Sequence, residues 1–162
     1  SGPIAQESVR GLRFILHHFV PHEDPAHRGL AQLMPATRRA MLGSMLIADP
    51  VLLEPILGIE VKCPQEQIGT VAGILSGKRG KLLNVDQKGI IAIILGEVPA
   101  SETFDLSEMM RGGTAGKAMW STYFKTWQAV PQSVIRNIIT DIRKRKGINP
   151  EPPSPDEFID KD

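Results

Sequence analysis

Leu57, Ile59, Val61 and Cys63 alternate with Gly58, Glu60 and Lys62, the signature of a half-buried strand. The pattern then changes period. Ile68, Val71, Ala72 and Leu75 follow i, i+3, i+4, i+7, the inward face of a helix. Pro64 stands where a helix tolerates proline best, its first turn. Gly77 and Gly80 bracket the far end. Lys81 to Val85 and Lys88 to Val98 predict a hairpin joined at Asp86-Gln87, with Gly89 available for a positive φ or a bulge. Phe104 to about Arg111 predicts a short helix with Leu106, Met109 and Met110 inward, ended by Gly112-Gly113. Ala118 to Trp127 predicts a fourth strand. The order β-α-β-β-α-β leaves few topologies open, and the ferredoxin-like split βαβ fold is the one it predicts.

The flanks read differently. Val9 to Val20 is rich in β-branched and aromatic residues and predicts a strand. About Leu30 to Ala48 predicts a helix, which Pro35 either starts or kinks and Asp49-Pro50 stops. One strand and one helix cannot bury both faces of a sheet, so residues 1–51 are expected to be part of a domain. After the sheet unit of 52–129, residues 130–147 predict a terminal helix. Pro131 sits at its first turn, and Gly147 lies just beyond its end. Val134, Ile135, Ile138, Ile139 and Ile142 make a stripe too apolar to stay in water, expected to pack back on the first fifty residues. Residues 148–162 are an acidic, proline-rich tail, expected to dock through Phe158 and Ile159. The fold class is α+β.

Several functions are excluded early. The net charge of +1 over 162 residues announces no global attraction to nucleic acid. Local basic clusters exist at Arg38-Arg39, at Lys78-Arg79 with Lys81, and at Arg143 to Lys146. The single cysteine, Cys63, cannot form an internal disulfide, which fits a reducing, cytoplasmic setting. No apolar run reaches transmembrane length, so no membrane partner is expected. The chain begins Ser-Gly-Pro without an initiator Met, which reads as an excised fragment. Gly73 to Arg79 looks like a phosphate loop, but a P-loop needs four residues between its glycines and Ser or Thr after the Lys. Here there are three, and Arg follows; a helix end is the plainer reading. His17 and His18 would face opposite sides of a strand, and no cysteine completes a zinc pattern with His22 and His27. No Gly-x-Ser-x-Gly turn supports a hydrolase. No catalytic, cofactor-binding or metal-ligating residue is therefore expected.

Residues 21 to 39 carry the densest chemistry. His22, Glu23, Asp24, Pro25, His27, Arg28 and Gly29 crowd a turn just before a helix. Tips of this kind protrude and carry function. Imidazoles there can stack on RNA bases or bond them. Arg28 suits phosphate contact, or it caps the loop through Glu23 or Asp24. Arg38 and Arg39 suit phosphate too, or form a solvated helix face. Trp120, Tyr123, Phe124 and Trp127 read as cross-strand core pairs before they read as a stacking platform.

The stretch Pro21 to Arg39 resembles the tip loop of domain IV in the elongation factor 2 family of ribosomal translocases. Later landmarks agree in order and spacing. They are Leu53-Glu54-Pro55-Ile56, Cys63-Pro64, Lys78-Arg79-Gly80, Thr114 to Ala118, and Arg143 to Gly147. The resemblance runs from about Val9 to Lys161, and the lack of an insertion before the last helix is similar to archaeal members. Departures are Pro21, Leu30-Ala31 and Met109, where that family usually has Leu, Gly-Gly or Pro-Ala, and Asp.

The resemblance implies the distal part of domain IV, of the ribosomal protein S5 domain 2-like fold, followed by a ferredoxin-like domain V. It implies that His27 is the residue converted to diphthamide. His22, Arg28, Arg38, Arg39, Lys78 and Arg79 become the candidate contacts to ribosomal RNA. Partners would be the ribosome, with tRNA and mRNA at the decoding region, and the diphthamide-synthesis enzymes. GTP and Mg would belong to a GTPase domain N-terminal to this chain, and the family's activity is GTP-driven translocation. Two other classes fit the residues: a stand-alone RNA-binding or regulatory module, such as a paralogue lacking diphthamide, and a protein-interaction domain using the sheet. An upstream P-loop domain in frame would separate the first reading from these.

Overall fold

The structure is a computed structural model describing residues 1–159. Its main elements are α1 (Leu30–Ile47), β1 (Leu53–Pro64), α2 (Ile68–Gly77), β2 (Lys81–Lys88), β3 (Ile91–Pro99), α3 (Leu106–Gly113), β4 (Met119–Ala129) and α4 (Gln132–Arg145). Single 3-10 turns occur at Pro25–Arg28, Gln65–Gln67, Ala100–Glu102 and Pro155–Glu157. Two compact units form. One is Leu53–Ala129; the other joins Ser1–Leu52 to the residues from Val130 onward.

In the first unit the strands lie in the order β2-β3-β1-β4, each pair antiparallel. This is the ferredoxin-like arrangement that the alternating periods predict. Ile59, Val61 and Cys63 of β1 share one buried face with Ala92, Ile94 and Val98 of β3. Val71 and Leu75 of α2 and Leu106 and Met110 of α3 close over it. Each Val, Ile, Leu or Met of this layer removed from water contributes about 1.5–3 kcal/mol, which makes the layer the main source of the unit's stability. On the opposite face the Tyr123 ring lies across Gly58, where a Cβ would stand 2.3 Å from Tyr123 Cζ. Only glycine leaves room for that ring.

Four local expectations give way to tertiary effects. Pro64 ends β1, paired with Ile91, and a 3-10 turn separates it from α2. The hairpin turns at Gly89-Ile90, since β2 runs to Lys88 and pairs there with Ile91. Gly89 takes φ +61°, and a two-residue hairpin favours glycine in that region. Met109 is half-exposed, because an eight-residue helix turns only a narrow face inward, here Leu106 and Met110. Ile68 is only partly buried, at the edge of the core.

The second unit departs furthest from expectation. Residues 9–20 form no strand, and Val9, Leu12, Phe14, Ile15, Leu16, Phe19 and Val20 are exposed. A strand holds only when its amides pair with a neighbour. Among the described residues this unit contains no strand to pair with, so of the strand and helix expected in residues 1–51 only the helix forms. Val9 and Phe14 instead border a groove of about 660 Å³ beside Leu33, Met34, Met41 and Met45 of α1. Pro35 lies inside α1, which runs through it unbroken.

The small core here is Ala5, Leu52 and Val130, with Val134, Ile135, Ile138, Ile139 and Ile142 of α4 packed against it. Two cations at the end of α4 hold the N-terminal turn. Buried Arg143 donates to the carbonyls of Pro3 (3.2 Å), Ile4 (2.8 Å) and Asn149. Lys146 donates to the carbonyls of Ala5 and Gln6, both at 2.9 Å, and reaches the Glu7 carboxylate at 2.6 Å. The helix dipole favours cations at that end. The tail docks on α1 through Phe158, whose Cβ is 3.1 Å from where a Cβ on Gly43 would sit. Ile159 stays half in solvent, and residues 160–162 of the tail lie outside the described residues.

Candidate functional site

The turn before α1 is built by its own polar groups. Asp24 caps the 3-10 turn Pro25–Arg28: its Oδ1 accepts from the Ala26 amide at 2.9 Å. Pro25 follows at the first helical position, where its missing N–H costs nothing. The His27 amide closes the turn on the Asp24 carbonyl at 3.1 Å. Gly29 then passes the chain to α1, its carbonyl accepting from Gln32 and Leu33 at 3.0 Å each.

Side chains lock the remainder. Arg28 turns inward, donating through Nε to the His22 carbonyl at 2.6 Å and through Nη2 to the Glu23 carbonyl at 2.8 Å. It caps the loop through backbone oxygens, and the carboxylates of Glu23 and Asp24 are left for other work. His22 Nδ1 accepts from the Asp24 amide at 3.0 Å, which requires that nitrogen to be unprotonated. The other imidazole lies near the Asp24 carboxylate. His27 Nδ1 lies 3.3 Å from Asp24 Oδ2, a contact that a protonated Nδ1 makes favourable. The two rings sit 4.6 Å apart at 40°. Every residue from 6 to 32 is exposed, so this ordered turn presents its imidazoles to solvent. Arg38 and Arg39 are exposed further along α1.

The second basic cluster has an internal occupation. Arg79 forms a fork on Glu54, Nη1 to Oε1 at 2.8 Å and Nη2 to Oε2 at 2.9 Å. Its Nε donates to Glu102 at 2.8 Å, and Nη2 also reaches Ser101 Oγ at 3.2 Å. The bond to Glu54 raises the Arg79 pKa; burial opposes that, and Glu102 adds to it. Lys78 holds Asp105 at 2.6 Å, and that bond holds the Asp105 carboxyl below its ordinary pKa. Arg79 also takes φ +51°, a left-handed conformation costly for a residue with a Cβ. Linear spacing could not reveal this network, since its acids lie 25 and 23 residues from Arg79. The Asp24 cap had a signal, the Asp-Pro pair at a turn-to-helix start.

Among the described residues, no group of three His, Cys, Asp or Glu side chains is disposed to hold a metal. No helix there is long and apolar enough to cross a membrane.

A ferredoxin-like sheet unit, together with a helix preceded by an ordered histidine-bearing turn, defines an α+β chain. Residues 51–138 match the family described as elongation factor G C-terminus, and the chain belongs to that family. It is similar to elongation factor 2 of Cenarchaeum symbiosum (strain A), 56% identical over 161 residues. That match covers 99% of this chain and 22% of its relative. Elongation factor 2 of Staphylothermus marinus is 51% identical over 158 residues, 98% of this chain and 22% of that one. The chain thus spans about a fifth of the length of these curated relatives. A crystal structure of a Thermus thermophilus protein superposes with a TM-score of 0.54 at 31% identity, over 58% of this chain and 14% of its own.

Proposed function

We propose that this chain is the C-terminal, ribosome-contacting part of a translocase that moves tRNA and mRNA at the expense of GTP. The turn from Pro21 to Gly29 reaches the decoding region, and His27 is the residue converted to diphthamide. The observation that carries this reading is an exposed His27 on a self-locked turn, in a chain 56% identical to an elongation factor 2. Recognition by shape and charge is the chain's own contribution. GTP and Mg act in a GTPase domain of the longer protein. The diphthamide-synthesis enzymes are its modifying partners, and the cytoplasm is where they meet it.

Native protein should carry added mass on the peptide containing His27. It should also accept ADP-ribose from NAD in the presence of diphtheria toxin, while protein made in a bacterium carries plain histidine. Native protein with neither added mass nor toxin labelling would sink the assignment of His27.

The contact to RNA should be electrostatic, with its cations unequal. Arg28, Lys78 and Arg79 are bonded within the fold, whereas Arg38 stands exposed on α1. Arg38→Ala should flatten the log–log salt dependence of ribosome binding by roughly 0.7–0.9, the value of one phosphate contact. An unchanged slope would move the binding surface elsewhere.

A further inference from the structure

Helix α1 has little support of its own. Gly43 and Met45 are its buried residues, and most of its other residues are exposed. Among the described elements, the one packed most extensively against it is the 3-10 turn Pro155–Glu157 of the tail. That turn is closed by its own groups. The Ser154 and Glu157 side chains cap each other's backbone amides, with Glu157 Oε1 accepting from the Ser154 amide at 3.0 Å. The Phe158 amide then donates to the Pro155 carbonyl at 3.0 Å. The Phe158 side chain lies over Gly43: a Cβ there would stand 3.1 Å from Phe158 Cβ and 4.0 Å from its Cγ. Glycine inside a helix weakens it, so Gly43 serves this contact and not the helix.

The near end of the tail is tied as well. Arg143 donates to the Asn149 carbonyl, and the Ile148 amide donates to the Arg143 carbonyl at 3.1 Å. The Glu151 amide is held by Asn149 Oδ1 at 3.1 Å. We propose that the C-terminal tail is a strap: it runs from the end of α4 to the C-terminal half of α1 and holds that helix in place, with Gly43 as the notch that receives Phe158. Because α1 follows directly on the histidine turn, the strap anchors the helix that carries it. The contacts all lie within one compact unit, and they do not depend on the assignment of His27.

The test sets the strap against helix propensity. Amide exchange of the full chain is followed by mass spectrometry on peptides from α1, α2 and the tail. Phe158→Ala should speed exchange on the order of tenfold both in residues 156–159 and in residues 40–47, since a helix deprived of packing opens locally. Gly43→Leu should free the tail to the same extent, although leucine forms helix better than glycine. Gly73→Leu in α2, where a Cβ would meet nothing within 4 Å, should leave the tail as in the wild type. The double variant of Phe158 and Gly43 should exchange no faster in the tail than either single one, because both remove the same contact. Wild-type exchange in α2 of the Phe158→Ala and Gly43→Leu chains reports that the sheet unit stays folded.

Unchanged exchange of residues 40–47 in Phe158→Ala would show a tail that rests on α1 without holding it, and would overturn the proposal. A tail still protected in Gly43→Leu would overturn the notch.

Discussion

Leu75→Ala is expected to destabilise the sheet unit by about 3–5 kcal/mol, the upper range for a buried leucine. Leu75 is 1% exposed on the inner face of α2. One of its methyls reaches toward β3, 3.3 Å from where a Cβ on Gly96 would stand. The cavity left by truncation is walled by the sheet backbone of β1 and β3, which the antiparallel ladder holds in place, so collapse is resisted. Both terms of the cost, lost transfer energy and retained void, are then near their maxima. Domains carry only about 5–15 kcal/mol in total, so the loss takes a large share. Urea unfolding followed by fluorescence can measure it, since Trp120 packs against this core. Ile90→Ala, at an 83% exposed turn position, should change stability by under about 0.5 kcal/mol. Equal effects at both sites would refute the layer described for this unit.

Arg79→Ala should cost about 2–4 kcal/mol. Solvent-exposed pairs contribute only about 0–1 kcal/mol, while breaking a buried one costs about 3–5 kcal/mol. This site lies between, nearer the second, because Glu54 is 8% exposed and would lose its fork. Lysine cannot substitute: a single ammonium cannot span Glu54, Glu102 and Ser101 with the fork's geometry. Backbone strain gives a further handle. Arg79→Gly should be less harmful than Arg79→Ala by about 1 kcal/mol, because glycine accepts the positive φ. A double-mutant cycle with Glu54→Gln should show coupling above about 0.5 kcal/mol. If Arg79→Ala leaves stability intact but weakens ribosome binding, Arg79 is a contact residue and not a clamp.

These two residues mark where sequence-based inference worked and where it stopped. Leu75 was legible as core from its helical spacing to Ile68, Val71 and Ala72, because burial on one face repeats locally. Ile68, on the same stripe, proved only partly buried, since periodicity says which side faces inward but not where the covering layer ends. Arg79 was readable only as a basic residue near a helix end. Its partners come from β1 and from the turn after β3, brought together by the sheet. Arg28 was legible in its alternatives: the turn composition allowed phosphate contact or loop capping, and in the structure its guanidinium bonds the His22 and Glu23 carbonyls.

By itself the sequence determined the ferredoxin-like unit and the extent of α4. Those follow from side-chain period, proline and glycine punctuation and strand order, all of which act over a few residues. Only the tertiary structure decided the fate of Val9 to Val20. Its composition suits a strand, but a strand is a relation between two segments, and within its unit no described strand offers the matching edge. The same holds for the fork on Glu54 and for the hydrogen bond from the Asp24 amide to His22 Nδ1. Each depends on which group the folded chain brings within about 3 Å of another, the range over which a hydrogen bond acts.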